Sequence, residues 1–122
     1  MLIQAIDHIQ LAMPAGQEDI ARRFYTGVLE IPEVPKPPHL AKRGGVWFER
    51  DALKIHLGVE PDFRPAKKAH PGLRVENLQQ LLTKLIAEGI EIVEAEPLHG
   101  FEHVYISDPF GNRIELLQPS NR

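Results

Sequence analysis

One order of elements runs twice through this chain of 122 residues. A strand, a helix and further strands fill residues 1 to about 60, and the same order returns between about 69 and 119. Laying the first strands together sets His8 against His70, and laying the last strands together sets His56 against Glu115, at nearly the same spacing. Modules this short bury little apolar surface alone. The expectation is one domain over residues 1–122, in which the modules share a core. Its class is α+β: one curved mixed sheet around a cleft, with both helices on the outer face.

The elements rest on periodicity. Ile3 to Met13 alternates as a strand does, with Ile9, Leu11 and Met13 on one side and Ile6, His8 and Gln10 on the other. Between Gln17 and Leu29, residues Ile20, Ala21, Phe24, Tyr25, Val28 and Leu29 form an apolar helical stripe. The stretch after Leu29 carries Pro32, Pro35, Pro37 and Pro38, and reads as a short strand and an irregular loop. Gly44–Arg50 and Leu53–Val59 read as a hairpin, and residues 60–68 as a polar connector.

In the second copy, Ala69–Val75 is a strand and Leu78–Glu88 a helix. Leu78, Leu81, Leu82, Leu85 and Ile86 are its apolar stripe. Asn77 and Gln80 resemble a capping box, and Gly89 is a natural stop. Ile90–Glu94, Glu102–Ser107 and Arg113–Leu117 complete the module, the last two joined by the turn Asp108-Pro109-Phe110-Gly111-Asn112.

Strand parity then sorts the side chains. Ile9, Leu11, Ile55, Leu57, Leu73, Val75, Ile114 and Leu116 belong under the helices. His8, Gln10, His56, His70, Arg74, Tyr105, Arg113 and Glu115 share the opposite face. Three imidazoles and a carboxylate at pseudosymmetric strand positions suit a divalent ion, so His8, His56, His70 and Glu115 are the candidate metal ligands. Zinc, nickel, manganese and iron(II) all accept such donors. His39, His99 and His103 lack this placement and read as loop or strand-edge residues, although His103 shares parity with Tyr105.

Composition closes other routes. There is no cysteine, so thiol nucleophiles, disulfides and cysteine-bound metals are excluded. The net charge of −3 lacks the basic excess of a nucleic-acid binder. No apolar run approaches the ~20 residues that span a bilayer. The opening MLIQAIDHIQLAMP reads as no signal peptide, which points to the cytoplasm.

The segments DHIQLAMP, LKIHLGVE, AHPGLRVENLQQL and DPFGNRIELLQP resemble the recurring strands of the vicinal oxygen chelate superfamily, which includes glyoxalase I, methylmalonyl-coenzyme A epimerase, extradiol dioxygenases, fosfomycin-resistance enzymes and bleomycin-binding proteins. The resemblance covers nearly the whole chain. It implies paired βαβββ modules, one divalent ion held at His8, His56, His70 and Glu115, and a homodimer. Glyoxalase I has glutamate at the position of His56 and the epimerase has glutamine, so histidine there separates this chain from both.

The function so implied is a glyoxalase-like metal-dependent lyase or isomerase. Its substrate would be a small molecule that chelates through two oxygens, and Glu115 would be the catalytic proton carrier. The alternatives are an extradiol-type ring-cleaving dioxygenase and a binding or resistance protein without turnover. Trp47, Arg74, Tyr105 and Arg113 are the candidate substrate-binding residues. Cations on two loops (Lys36, Lys42 and Arg43; Arg64, Lys67 and Lys68) suggest an anionic substrate.

Overall fold

The computed structural model describes residues 2–120. The chain divides into two compact units, Met1–Arg64 and Pro65–Arg122, and the boundary falls in the polar connector.

The first unit runs β1 (Ile9–Met13), α1 (Glu18–Tyr25), β2 (Glu33–Val34), the single turn α2 (Pro38–Ala41), β3 (Val46–Arg50) and β4 (Leu53–Val59). Its strands pair in the order β1-β4-β3-β2. The β1–β4 pair is parallel and the other two pairs are antiparallel. Leu11, Met13, Val46, Phe48, Ile55 and Leu57 form the buried face of this sheet. Helix α1 covers it with Ala21, Phe24 and Tyr25. The Tyr25 ring stacks on Phe48 at 5.1 Å between centroids. Each large side chain buried this way contributes about 1.5–3 kcal/mol.

The second unit repeats the plan: β5 (Gly72–Arg74), α3 (Leu78–Ala87), β6 (Val93–Glu94), β7 (Phe101–Ser107) and β8 (Arg113–Pro119), paired in the order β5-β8-β7-β6. Ile106, Ile114 and Leu116 are buried in the sheet, and Leu78 and Leu85 on the helix. The Asn77 side chain caps α3 by accepting from the Gln80 amide at 3.1 Å. The α+β class and the two βαβββ modules are therefore present. Hydrogen bonding divides the expected sheet into two four-stranded mixed sheets, one per module.

Several details differ from expectation. The first strand begins at Ile9, not Ile3, and Leu2, Ile3 and Ile6 lie 99%, 84% and 79% exposed. Alternation alone supplies no neighbouring strand to pair with. Helix α1 ends at Tyr25, not Leu29. The Val28 and Leu29 amides both donate to the Phe24 carbonyl, which closes a turn. Ile86, expected in the buried stripe of α3, is 65% exposed.

Two glycines shape the ground near the site. Gly45 has φ +84°, and a Cβ there would lie 2.2 Å from the Leu57 carbonyl oxygen, so only glycine fits. Gly58 lies under the Gln10 side chain, and a Cβ there would meet Gln10 Nε2 at 2.6 Å. Among the described residues no helix is long and apolar enough to cross a membrane.

Candidate metal centre

In the first unit, β4 lies between β1 and β3, so its outward row is flanked on both sides. His56 is in register with Gln10 of β1 and with Trp47 of β3. The Trp47 ring stacks on the His56 ring at 3.9 Å with the planes 4° apart. The His8 ring covers the other face at 4.5 Å and 20°. Held between two rings, His56 is only 5% exposed.

Carboxylates fix which nitrogens are free. His56 Nε2 lies 2.7 Å from Glu49 Oε2, and His8 Nδ1 lies 3.0 Å from Asp7 Oδ1. The His8 hydrogen bond and the Lys54 charge hold the Asp7 carboxyl below its usual range. An ionised carboxylate only accepts, so the facing nitrogens carry the protons. That leaves lone pairs on His56 Nδ1 and His8 Nε2. A carboxylate behind the imidazole is the common support of a metal-binding histidine.

The second unit builds its pair on β8. The turn before that strand is locked by Asp108, whose Oδ1 accepts from the Phe110 and Asn112 amides, both at 2.9 Å. Asn112 Oδ1 accepts from the Ala66 amide, which ties down the chain leading to His70. The Glu115 amide donates to the Pro71 carbonyl at 3.0 Å, and Gly72 is in register with Glu115. His70, just before β5, is thereby set beside the Glu115 carboxylate.

Glu115 stands between two imidazoles. Oε1 is 3.0 Å from His70 Nε2, and Oε2 is 2.7 Å from His103 Nδ1. The far nitrogens are committed: His70 Nδ1 donates to the Lys68 carbonyl at 2.9 Å and His103 Nε2 to the Glu96 carbonyl at 2.6 Å. A carbonyl cannot donate, so both far nitrogens carry protons. Each near nitrogen then faces a carboxylate oxygen with only a lone pair, unless a proton or a metal cation lies between them. His70 Nε2 and Glu115 Oε1, 3.0 Å apart, are the pair that would hold a divalent ion in this unit.

The electrostatics of the metal-free unit agree. The Glu96 carbonyl raises the His103 pKa above its ordinary value; burial opposes this and Glu115 adds to it. For Glu115, burial is the largest single influence and pushes upward. The hydrogen bonds from His103 and His70, with their charges, outweigh it and leave the carboxyl below its usual range. Tyr105 lies edge-on to His70 at 5.3 Å, and the Arg113 guanidinium sits 3.8 Å over the Tyr105 ring. Arg74 lies 5.9 Å from the Phe101 ring centre.

The structure thus brings His8 together with His56, and His70 together with Glu115. Among the described residues no three His, Asp or Glu side chains stand grouped to take an ion as they are. Two neighbours escaped the sequence reading. Glu49 shares a strand face with Trp47, and that parity was its signal. The sequence places His103 at a strand edge. It faces Leu117 in the β7–β8 register, while Tyr105 faces Glu115, so a diagonal contact with Glu115 is available. His39 and His99 are exposed, as expected.

The profile of the Glyoxalase/Bleomycin resistance protein/Dioxygenase superfamily matches residues 5–116. The chain belongs to this superfamily. A glyoxalase-family protein of Bacillus anthracis is 44% identical, with 98% of each chain covered and a TM-score of 0.95. A glyoxalase/dioxygenase from Nostoc punctiforme is 21% identical at TM-score 0.78, covering 97% of this chain and 92% of its own. The fosfomycin resistance protein FosX of Listeria monocytogenes is 15% identical at TM-score 0.75, covering 98% and 97%. The last two show the shared fold. No protein of curated function matches the chain.

Proposed function

We propose that this superfamily member is a metal-dependent lyase or isomerase of glyoxalase type, acting on a small anionic substrate with two neighbouring oxygens. The observation that carries the reading is the Glu115 carboxylate between two imidazoles whose far nitrogens are already committed. Such a cluster calls for cations, and a divalent ion supplies them. His70 and Glu115 from one module would hold the ion. His8 and His56 from a first module, of the same chain or of a second copy, would complete the set.

When bound, the ion would act as a Lewis acid on the substrate oxygens. The chain's own residues do the rest. Glu115 is the only carboxylate among the four ligands and is the proton carrier. His103, 2.7 Å from Oε2, keeps that carboxylate ionised and ready to accept a proton. Trp47, Tyr105, Arg74 and Arg113 bind the substrate, with Arg113 braced on the Tyr105 ring. The two modules work as one domain in a cytoplasmic homodimer, and the exposed Leu2, Ile3 and Ile6 suit burial against a second chain.

The test is turnover of hemithioacetals of 2-oxoaldehydes and of 2-hydroxycarbonyl compounds, with an oxygen electrode alongside. Turnover should need the ion, consume no oxygen, and fall at least 100-fold in Glu115→Gln. Turnover that survives chelation would defeat the metal reading. Oxygen uptake equal to substrate loss would move the chain to the dioxygenases. Metal-independent binding without turnover would make it a binding protein.

A further inference from the structure

A pocket of about 260 Å³ lies in the first unit, walled by Gln10, Lys36, Leu40, Arg43, Trp47 and Val59. It is smaller than the ~300–1,000 Å³ of a whole ligand site. It therefore suits one end of a molecule.

Its chemistry is specific. Trp47 gives it a flat aromatic wall, and Leu40, Leu57 and Val59 add apolar surface. Two cations stand over it. Lys36 is part-buried and fixed by donating to the Gly44 carbonyl, itself in the pocket wall. Arg43 is exposed on the following loop. The acidic group nearby is Glu18, whose Oε2 is engaged by the Gly45 amide at 2.8 Å and would lie 3.1 Å from a Cβ on Gly44, a residue of the pocket wall. It is not among the lining residues. The Gln10 amide, laid over Gly58, adds a hydrogen-bonding group.

The place of the pocket gives it a role. Gln10 and Trp47 are the two register partners of His56, and the Trp47 ring lies against the His56 ring. An occupant in contact with Trp47 is therefore one side chain from a candidate metal ligand.

We propose that this pocket holds the anionic end of the substrate: a carboxylate or phosphonate at Lys36 and Arg43, carried on a flat apolar body against Trp47. Charge-assisted contacts supply the recognition, and the guanidinium matches either oxyanion in a two-point fork. Only the fate of the other end of the molecule rests on the metal reading.

Trp47 is the only tryptophan of the chain, so its fluorescence reports on the pocket directly. Benzoate and phenylphosphonate are the probes, and benzamide is the uncharged control, titrated into chelator-treated and metal-loaded protein. Both anions should change Trp47 emission saturably in both preparations, with benzamide at least tenfold weaker. Arg43→Gln, an exposed change, should weaken the anions about tenfold and leave metal uptake as it was. Lys36→Gln should weaken them too, with circular dichroism confirming its fold. Equal binding of benzamide and benzoate, or unchanged binding in Arg43→Gln, would overturn the proposal. Anion binding in protein that takes up no metal would keep this subsite and remove the metal reading. Metal uptake without anion binding would do the reverse.

Discussion

Replacing Glu115 by Gln keeps the side-chain shape and one acceptor oxygen but removes the charge. The Glu115 side chain is only 14% exposed, so solvent does little to replace what is lost. Loss of a partner behind a ligand weakens metal binding about 10–100-fold, and loss of a charged ligand should reach the upper end. The size of the effect follows from linkage. An ion at 100 times its dissociation constant stabilises the native protein by about 2.7 kcal/mol. For a chain of this length each kcal/mol moves Tm by roughly 3–5 °C, so the metal should raise Tm by about 8–14 °C. After a 100-fold loss of affinity the same ion concentration leaves about 0.4 kcal/mol, or under ~2 °C. The assay is thermal unfolding at pH 8 with chelator, then with whichever of zinc, nickel or manganese the wild type binds most tightly. In chelator the two proteins should melt within a few degrees of each other, because a glutamine amide can donate to the lone pair of His70 Nε2. A metal-induced rise as large in Glu115→Gln as in the wild type would refute the reasoning.

Metal-free stability should depend on the same cluster. Glu115 lies below its ordinary value of 4.5, so its contribution holds above that pH and fades as acid protonates it further down. His103 lies above its ordinary value of 6.5, so its contribution is full below that pH and fades as the pH rises through the folded value. Urea midpoints in chelator should therefore be highest between these values, and His103→Gln should flatten the alkaline decline; the same profile in both proteins would sink this assignment. In the core, Phe48 is fully buried and stacked on Tyr25, so Phe48→Ala should cost about 3–5 kcal/mol in denaturant unfolding. A loss below ~1 kcal/mol would mean that α1 does not rest on this ring.

Much of the fold was legible because burial enforces parity. Leu11, Ile55, Leu57, Ile114 and Leu116 are buried as alternation requires. Their neighbours His56 and Glu115 are turned to the opposite face with them. Turn chemistry was equally readable, since Asp108, Gly111 and Asn112 stand where the turn needs them. Ends were harder. Ile3 and Ile6 belong to the same apolar opening as Ile9 and Leu11, but only the latter find a partner strand, and a pattern within one segment does not carry that information. The supports of the ligands were hidden for a related reason. Glu49 reaches His56 across the β3–β4 ladder, and His103 reaches Glu115 diagonally across β7 and β8. Both contacts depend on register, which hairpin length fixes and periodicity does not. The pairing of Lys36 with the Gly44 carbonyl depends on the loop path around two left-handed glycines, which composition only hints at.

The most direct test of the central claim is metal content by elemental mass spectrometry. Untagged protein should be purified without chelator and run beside His70→Ala and Glu115→Ala. The account predicts one divalent transition metal per chain in the wild type, and loss or sharp reduction in both variants. A wild type that carries no transition metal, and takes up none when zinc, nickel, manganese and iron(II) are offered, would contradict it.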